Sequence, residues 1–218
     1  MALKIMDESG KVPKNEYATE ALEYAIKMGA IISCNSYGIE CFKYNVKPDG
    51  HLCDKLFDDF SNLLQGAPKH VFVAAAGNIG NCNDDVPALP CNVNAPNALC
   101  VAASTEQNEV WPASNYGRDT VHVFAPGENI ESISVNAMEH EIGIDHTYTN
   151  DSGTSFAAPY VAGLAGLILS MNKDLTGERV NQYIQDNVQK LDQYDGYVKT
   201  GGLIDVGKTL TDVGAGGM

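Results

Sequence analysis

The chain has 218 residues, 44% of them hydrophobic and 19% charged, with 21 glycines. That composition folds around a buried core and excludes a disordered, collagenous or coiled-coil protein, and the length suits one domain over 1–218. Lys and Arg total 14 against 28 Asp and Glu, and the formal net charge of −14 repels phosphate backbones and anionic lipid, so neither nucleic acid nor a membrane surface is an expected partner. The longest nearly apolar run, 156–169, carries two glycines and a proline and falls short of the roughly 20 residues of a bilayer span. Nothing at the start has the basic and apolar regions of a signal peptide.

In chain order, 3–6 is a short strand candidate. Asn15 then caps a stretch whose apolar residues Ala18, Ala21, Leu22, Ala25 and Ile26 recur at helical spacing. The apolar run 30–36 ends at Tyr37-Gly38, and 54–65 carries Leu56, Phe57, Phe60, Leu63 and Leu64 at helical spacing before Gly66 and Pro68 close it. Residues 71–76 are continuously apolar, as a parallel strand covered on both faces requires, and 98–103 and 121–125 repeat that character. Segment 130–149 alternates weakly and is expected to form a hairpin. A buried central helix is expected over 155–171 and an amphipathic one over 176–187. Strands alternating with helices predict an α/β fold, a parallel β-sheet with helices on both faces.

Six cysteines occur, Cys34, Cys41, Cys53, Cys82, Cys91 and Cys100, with no C-x-x-C pair, which argues against zinc and redox motifs and leaves disulfides. Cys82 and Cys91 share a turn-rich stretch, 81–94, where a bridge would brace an exposed loop; Cys41 with Cys53 is the second choice. Cys34 and Cys100 lie in apolar runs and are expected to be buried thiols. A disulfide favours a secreted protein or one of a secretory organelle.

Three segments carry residue choices that burial alone does not explain. Around Ser155, at the start of the apolar helix, Gly153, Ala157 and Ala158 leave room for another molecule's backbone, and helix amides face the hydroxyl. An isolated Gly-Thr-Ser is ordinarily just a helix cap. The apolar strand 73–76 runs into Gly77-Asn78, where a carboxamide at a strand's carboxyl end could donate to a developing oxyanion; such an Asn is otherwise a turn residue. The third segment, 31–38, is a strand ending in Ser36-Tyr37-Gly38.

Together these segments resemble the subtilisin-like serine proteases, the subtilases. Gly-Thr-Ser-Phe-Ala-Ala-Pro-Tyr-Val-Ala-Gly, from Gly153 to Gly163, is similar to that family's nucleophile signature, with Tyr160 where a His is common. Ala75-Ala76-Gly77-Asn78 resembles its oxyanion-asparagine signature, and Asn35-Ser36-Tyr37-Gly38 its Ser-Leu-Gly strand that pairs with substrate backbone. Ala125-Pro126-Gly127 is similar to its Ala-Pro-Gly turn, 201–206 to its closing segment, and 2–6 to the strand that follows the helix bearing its catalytic His.

The resemblance implies the C-terminal portion of a subtilisin-like catalytic domain, that of a serine endopeptidase. It implies Ser155 as nucleophile, and Asn78 with the Ser155 amide as oxyanion hole. Ser36, Tyr37, Gly38, Ala75, Ala76, Gly77 and Thr154 would hold an extended polypeptide substrate. The family's Asp-Thr/Ser-Gly and His-Gly-Thr-His motifs do not occur: none of His51, His70, His122, His140 and His146 is followed by Gly-Thr-His, and Asp7 is followed by Glu8-Ser9-Gly10. Each is read as a surface or structural residue. Hydrolysis is therefore expected of the full-length protein, while this chain alone is expected to be inactive and to self-associate through exposed core. No cofactor or metal-ligand set is read here. Structural calcium and an inhibitory propeptide come with the family, although the Asp often found before its Ala-Pro-Gly turn is replaced by His122. Asp84 and Asp85 are candidates for favouring basic side chains, against the reading of a solvated loop, and the sequon Asn150-Asp151-Ser152 is expected to be unglycosylated. The alternative is a non-catalytic, pseudoprotease module that binds a peptide or partner. Retention of both Ser155 and Asn78 favours the enzyme.

Overall fold

The continuous apolar runs become the strands of a central sheet. The computed structural model describes residues 1–5, 16–41, 52–134 and 147–216. In chain order the elements are α1 (Glu16–Lys27), β1 (Ile32–Asn35), β2 (Ile39–Glu40), α2 (Leu52–Gln65), β3 (Val71–Ala75), β4 (Ala88–Leu89), β5 (Ala98–Ser104) and β6 (Val123–Pro126). They continue with β7 (Ile130–Ser134), β8 (Thr147–Asp151), α3 (Thr154–Met171), α4 (Gly177–Asp186), β9 (Gln189–Lys190), β10 (Gly202–Leu203) and α5 (Val206–Gly216). The main sheet runs β1-β3-β5-β6-β10-β9, parallel except for the antiparallel β10–β9 pair.

Alternation along the strands divides the core. Val71, Val73 and Ala75, with Leu99, Val101 and Ala103, pack on Ala157, Val161, Leu164 and Ile168 of α3. Phe72, Ala74 and Ala98 pack on Ala18 and Leu22 of α1 and on Leu56, Phe60 and Leu64 of α2. Helices thus cover both faces, as a parallel sheet requires. α3 reaches the length and hydropathy of a short membrane span, but lies across β1, β3, β5 and β6. Its outer side, with Tyr160, Leu167 and Met171, is exposed.

Several expectations are corrected. Residues 3–5 form no strand, because among the described residues no neighbouring strand supplies hydrogen-bond partners; Met6 and the Asn15 cap lie outside the described residues, as do Asp7, His51, His140 and His146. The expected hairpin forms, with β7 antiparallel to β8. α5 was not anticipated from its Gly- and Thr-rich sequence; its readable signal is Asp205, whose carboxylate accepts from Lys208 N at 2.9 Å as an N-cap does.

The Cys82–Cys91 bridge does not form. Cys91 is bonded to Cys100, and Cys82 is a free thiol. The reason is that 81–94 is tied down rather than floppy: the Asn92 amide donates to Asn83 O at 2.8 Å and accepts from Ala88 N at 3.0 Å, which turns Cys91 inward beneath β5. Cys82 instead bridges backbone with Tyr116. Cys100 is buried as expected but bonded, and Cys34 is exposed on β1, an edge strand of the sheet among the described residues. The second-choice pair, Cys41–Cys53, is present.

Candidate active site

A cavity of about 330 Å³ opens beyond the carboxyl ends of β1 and β3, beside the N-terminus of α3, the place where open parallel sheets bind ligands. Its lining includes Ser36, Tyr37, Gly38, Ala75, Ala76, Gly77, Asn78, Thr154 and Ser155, so every site residue expected from the sequence is on one wall or another. The sequence reading missed Ile79, Ala88, Leu89 and Asn115, which complete it. Periodicity gives no signal for these four, since they come from loops and from the short β4.

Ser155 lies in the first turn of α3, where the leading amides have no intrahelical acceptor. Its hydroxyl donates to Ser36 O at 3.1 Å, and the Ser36 hydroxyl donates back to Ser155 O at 2.9 Å. Ser155 O is open to that bond because the residue four positions on, Pro159, has no N–H to give it.

Asn78 is oriented by Thr154. Asn78 Oδ1 accepts from Thr154 N at 2.9 Å and from Thr154 Oγ1 at 2.8 Å, and Thr154 Oγ1 in turn accepts from Gly77 N at 3.0 Å. With its carbonyl oxygen so occupied, the carboxamide leaves Nδ2 on the cavity wall without a partner among the described residues. A Cβ at Gly153 would stand 3.3 Å from that nitrogen, so the small residue keeps the donor open. Gly77 has φ +115, and a Cβ there would collide with the Asn115 carboxamide.

Tyr37 donates its phenol to Asn35 Oδ1 at 3.1 Å, and burial pushes its ionisation well above the ordinary range, so the wall it forms is neutral. Asp84 faces elsewhere: its carboxylate accepts from Thr120 Oγ1 at 2.6 Å and from the Asp119 and Thr120 amides, and among the described residues none that lines the cavity is charged. The two described histidines are also elsewhere. His70 Nδ1 and Nε2 bond Ala30 O and Ser33 Oγ, and burial lowers its pKa. His122 Nδ1 accepts from Cys100 N at 2.9 Å, and burial, with Lys199 nearby, pushes its pKa down to about 4. Among the described residues no three His, Cys, Asp or Glu side chains gather, so the chemistry available here is that of a hydroxyl beside amide donors.

The comparisons with known proteins give the family and the fold. The model of the Subtilase family matches residues 2–203. The chain is 34% identical over 155 residues to Subtilisin-like protease 2 of Plasmodium falciparum, a match covering 71% of this chain and 10% of that protein. It is 28% identical over 207 residues to the Thermophilic serine proteinase of Bacillus sp. strain AK1, covering 92% of this chain and 43% of the relative. Among solved structures, a lanthipeptide protease superposes with TM-score 0.76 at 20% identity, over 96% of this chain and 70% of that one. A cold adapted subtilisin-like serine proteinase superposes with TM-score 0.70 at 22% identity, over 92% of this chain and 64% of that one. The fold is subtilisin-like α/β, and the chain belongs to the subtilase family. The match spans about a tenth of the first curated relative and 43% of the second.

Proposed function

We propose that this chain carries the nucleophile and oxyanion hole of a serine endopeptidase. Ser155 Oγ attacks the carbonyl carbon of a peptide bond while a His from elsewhere in the protein, held by an Asp, takes its proton. The new oxyanion accepts from Asn78 Nδ2 and from the Ser155 amide. Collapse expels the amine with that proton, and water then releases the acyl group from Ser155. Ser36–Gly38 and Ala75–Gly77 hold the substrate backbone on either side of the side-chain cavity, with Thr154 fixing Asn78. The observation that carries this reading is the orientation of Asn78: its oxygen is spent on Thr154, and its nitrogen, on the same cavity wall as Ser155, has no partner among the described residues.

The uncharged cavity favours a polypeptide with an apolar or neutral side chain before the cleaved bond, and the orientation of Asp84 argues against selection of basic ones. Two disulfides support an oxidising compartment, secreted or within a secretory organelle. An inhibitory propeptide suits a cleft built for extended chains. The exposed outer side of α3 supports self-association of the isolated chain, to be read by light scattering.

A second reading, a non-catalytic peptide-binding module, is favoured by one observation: the Ser155 hydroxyl is bonded to a backbone carbonyl rather than to a base. Peptide hydrolysis by the full-length protein tests both. Asn78→Ala should lower turnover by about 10²–10³, the magnitude known for loss of such a donor in the relative subtilisin. Peptide binding without turnover in the unaltered protein would establish the second reading instead.

A further inference from the structure

We infer that Asn115 is a positioning residue for Asn78, acting through the turn that carries it; the inference rests on the reading of Asn78 as an oxyanion donor. Asn115 is distant in sequence, lies just before the bridge residues Tyr116 and Gly117, and is only 1% exposed. Its backbone N–H donates to Gly77 O at 2.9 Å, on one side of Asn78. Its side-chain Oδ1 accepts from Ile79 N at 3.0 Å, on the other side, and from Asn81 N at 3.1 Å. One residue thus brackets Asn78 before and after.

The bracket is itself anchored. Asn115 Nδ2 donates to Asn83 Oδ1 at 3.0 Å, and Asn83, fully buried, donates to Ala76 O at 2.9 Å. Every polar atom of the Asn115 carboxamide is therefore directed by a partner, and its orientation follows from the donors and acceptors around it. Gly77 completes the arrangement, since its φ of +115 and the absence of a side chain let the Asn115 amide sit against the backbone. Thr154 sets the rotation of the Asn78 side chain and also takes the Gly77 N–H, whereas Asn115 bonds the backbone on both sides of the residue from which that side chain hangs. An oxyanion donor acts through placement to within a fraction of an ångström, so loosening this turn reduces stabilisation of the transition state more than binding of the substrate.

The test is a double-mutant cycle on peptide hydrolysis by the full-length protein, with kcat and KM measured for the unaltered protein, Asn115→Ala, Asn78→Ala and the double variant. Asn115→Ser, which leaves room for water, repeats the cycle where the alanine variant folds poorly, and near-UV circular dichroism reports folding. The expected result is a fall in kcat of at least about tenfold in Asn115→Ala with KM changed less than about twofold, and little further fall when Asn78 is already alanine. Amides of Ile79 and Asn81 should exchange hydrogen faster while those of β3 do not change. Equal losses in both backgrounds, a rise in KM alone, no loss, or unfolding of both Asn115 variants would each overturn the inference. Were Asn78→Ala itself without effect, the oxyanion reading would fall first; an impaired Asn78→Ala with an additive Asn115 effect would remove only the positioning role.

Discussion

Ser36 and Ser155 hold each other by a reciprocal pair of hydrogen bonds, each hydroxyl donating to the other residue's carbonyl at 3.1 and 2.9 Å. The pair exists because Pro159 withholds the N–H that would otherwise occupy Ser155 O. It joins the end of β1 to the start of α3, and it directs the Ser155 proton at an acceptor that is not a base.

The first prediction follows from that acceptor. A serine hydroxyl is a weak nucleophile near neutral pH, and a carbonyl oxygen cannot take its proton in attack. The 218-residue chain alone should therefore turn over peptide at about 10⁻⁶ of the rate of a complete triad enzyme, the scale of loss seen on removing a triad member in subtilisin. Hydrolysis above background that vanishes in Ser155→Ala would show a base within this chain, with His51, His140 and His146 the residues to replace next.

Peptide mapping without reduction should recover Cys91 linked to Cys100 and Cys41 linked to Cys53, with Cys34 and Cys82 alkylated. The loops closed are 9 and 12 residues long, and replacing either pair by Ser should cost about 2–3 kcal/mol in urea unfolding. A Cys82–Cys91 peptide would contradict the structure.

His122 sets a pH dependence. Its folded-state pKa of about 4 lies below the ordinary 6.5, so the folded protein binds fewer protons than the unfolded chain between those values. Its contribution is fully present above pH 6.5 and is lost as pH falls toward 4, by up to about 3 kcal/mol. Burial of His70 acts in the same direction. Urea unfolding of His122→Gln should show a shallower fall between pH 7 and 4.5; an unchanged slope would assign the dependence to other groups.

Side-chain preference can be read from a peptide library on the full-length protein. Substrates with an apolar residue before the cleaved bond should exceed those with Lys or Asp there by at least about tenfold in kcat/KM, because a charge in this neutral cavity goes unpaired. Ala88→Asp, on the cavity wall, should raise cleavage after Lys relative to Leu. A library optimum at Lys in the unaltered protein would contradict this.

The sheet was legible because β3 and β5 are apolar throughout, a pattern that burial on both faces imposes locally. Ser155, Asn78 and Ser36 were legible as contiguous motifs, and the structure brings them to one cavity. Asn115 and the Cys91–Cys100 bond were not, since each depends on which distant segments the loops bring together, and an Asn within a turn-rich stretch has the same local signature whether it clamps a site or merely turns the chain. Residues 3–5 form no strand for the converse reason: a short apolar run becomes a strand only when a neighbour pairs with it, and none of the described residues does.

The most direct measurement is fluorophosphonate labelling of the catalytically competent full-length protein, with the modified residue located by peptide mapping. The account predicts a single adduct on Ser155, absent in Ser155→Ala and formed at least about tenfold more slowly in Asn78→Ala, whose missing donor the phosphoryl oxygen would have used. An adduct on any other residue, or labelling of Ser155 at an undiminished rate in Asn78→Ala, would contradict the pairing of nucleophile and oxyanion donor on which the account rests.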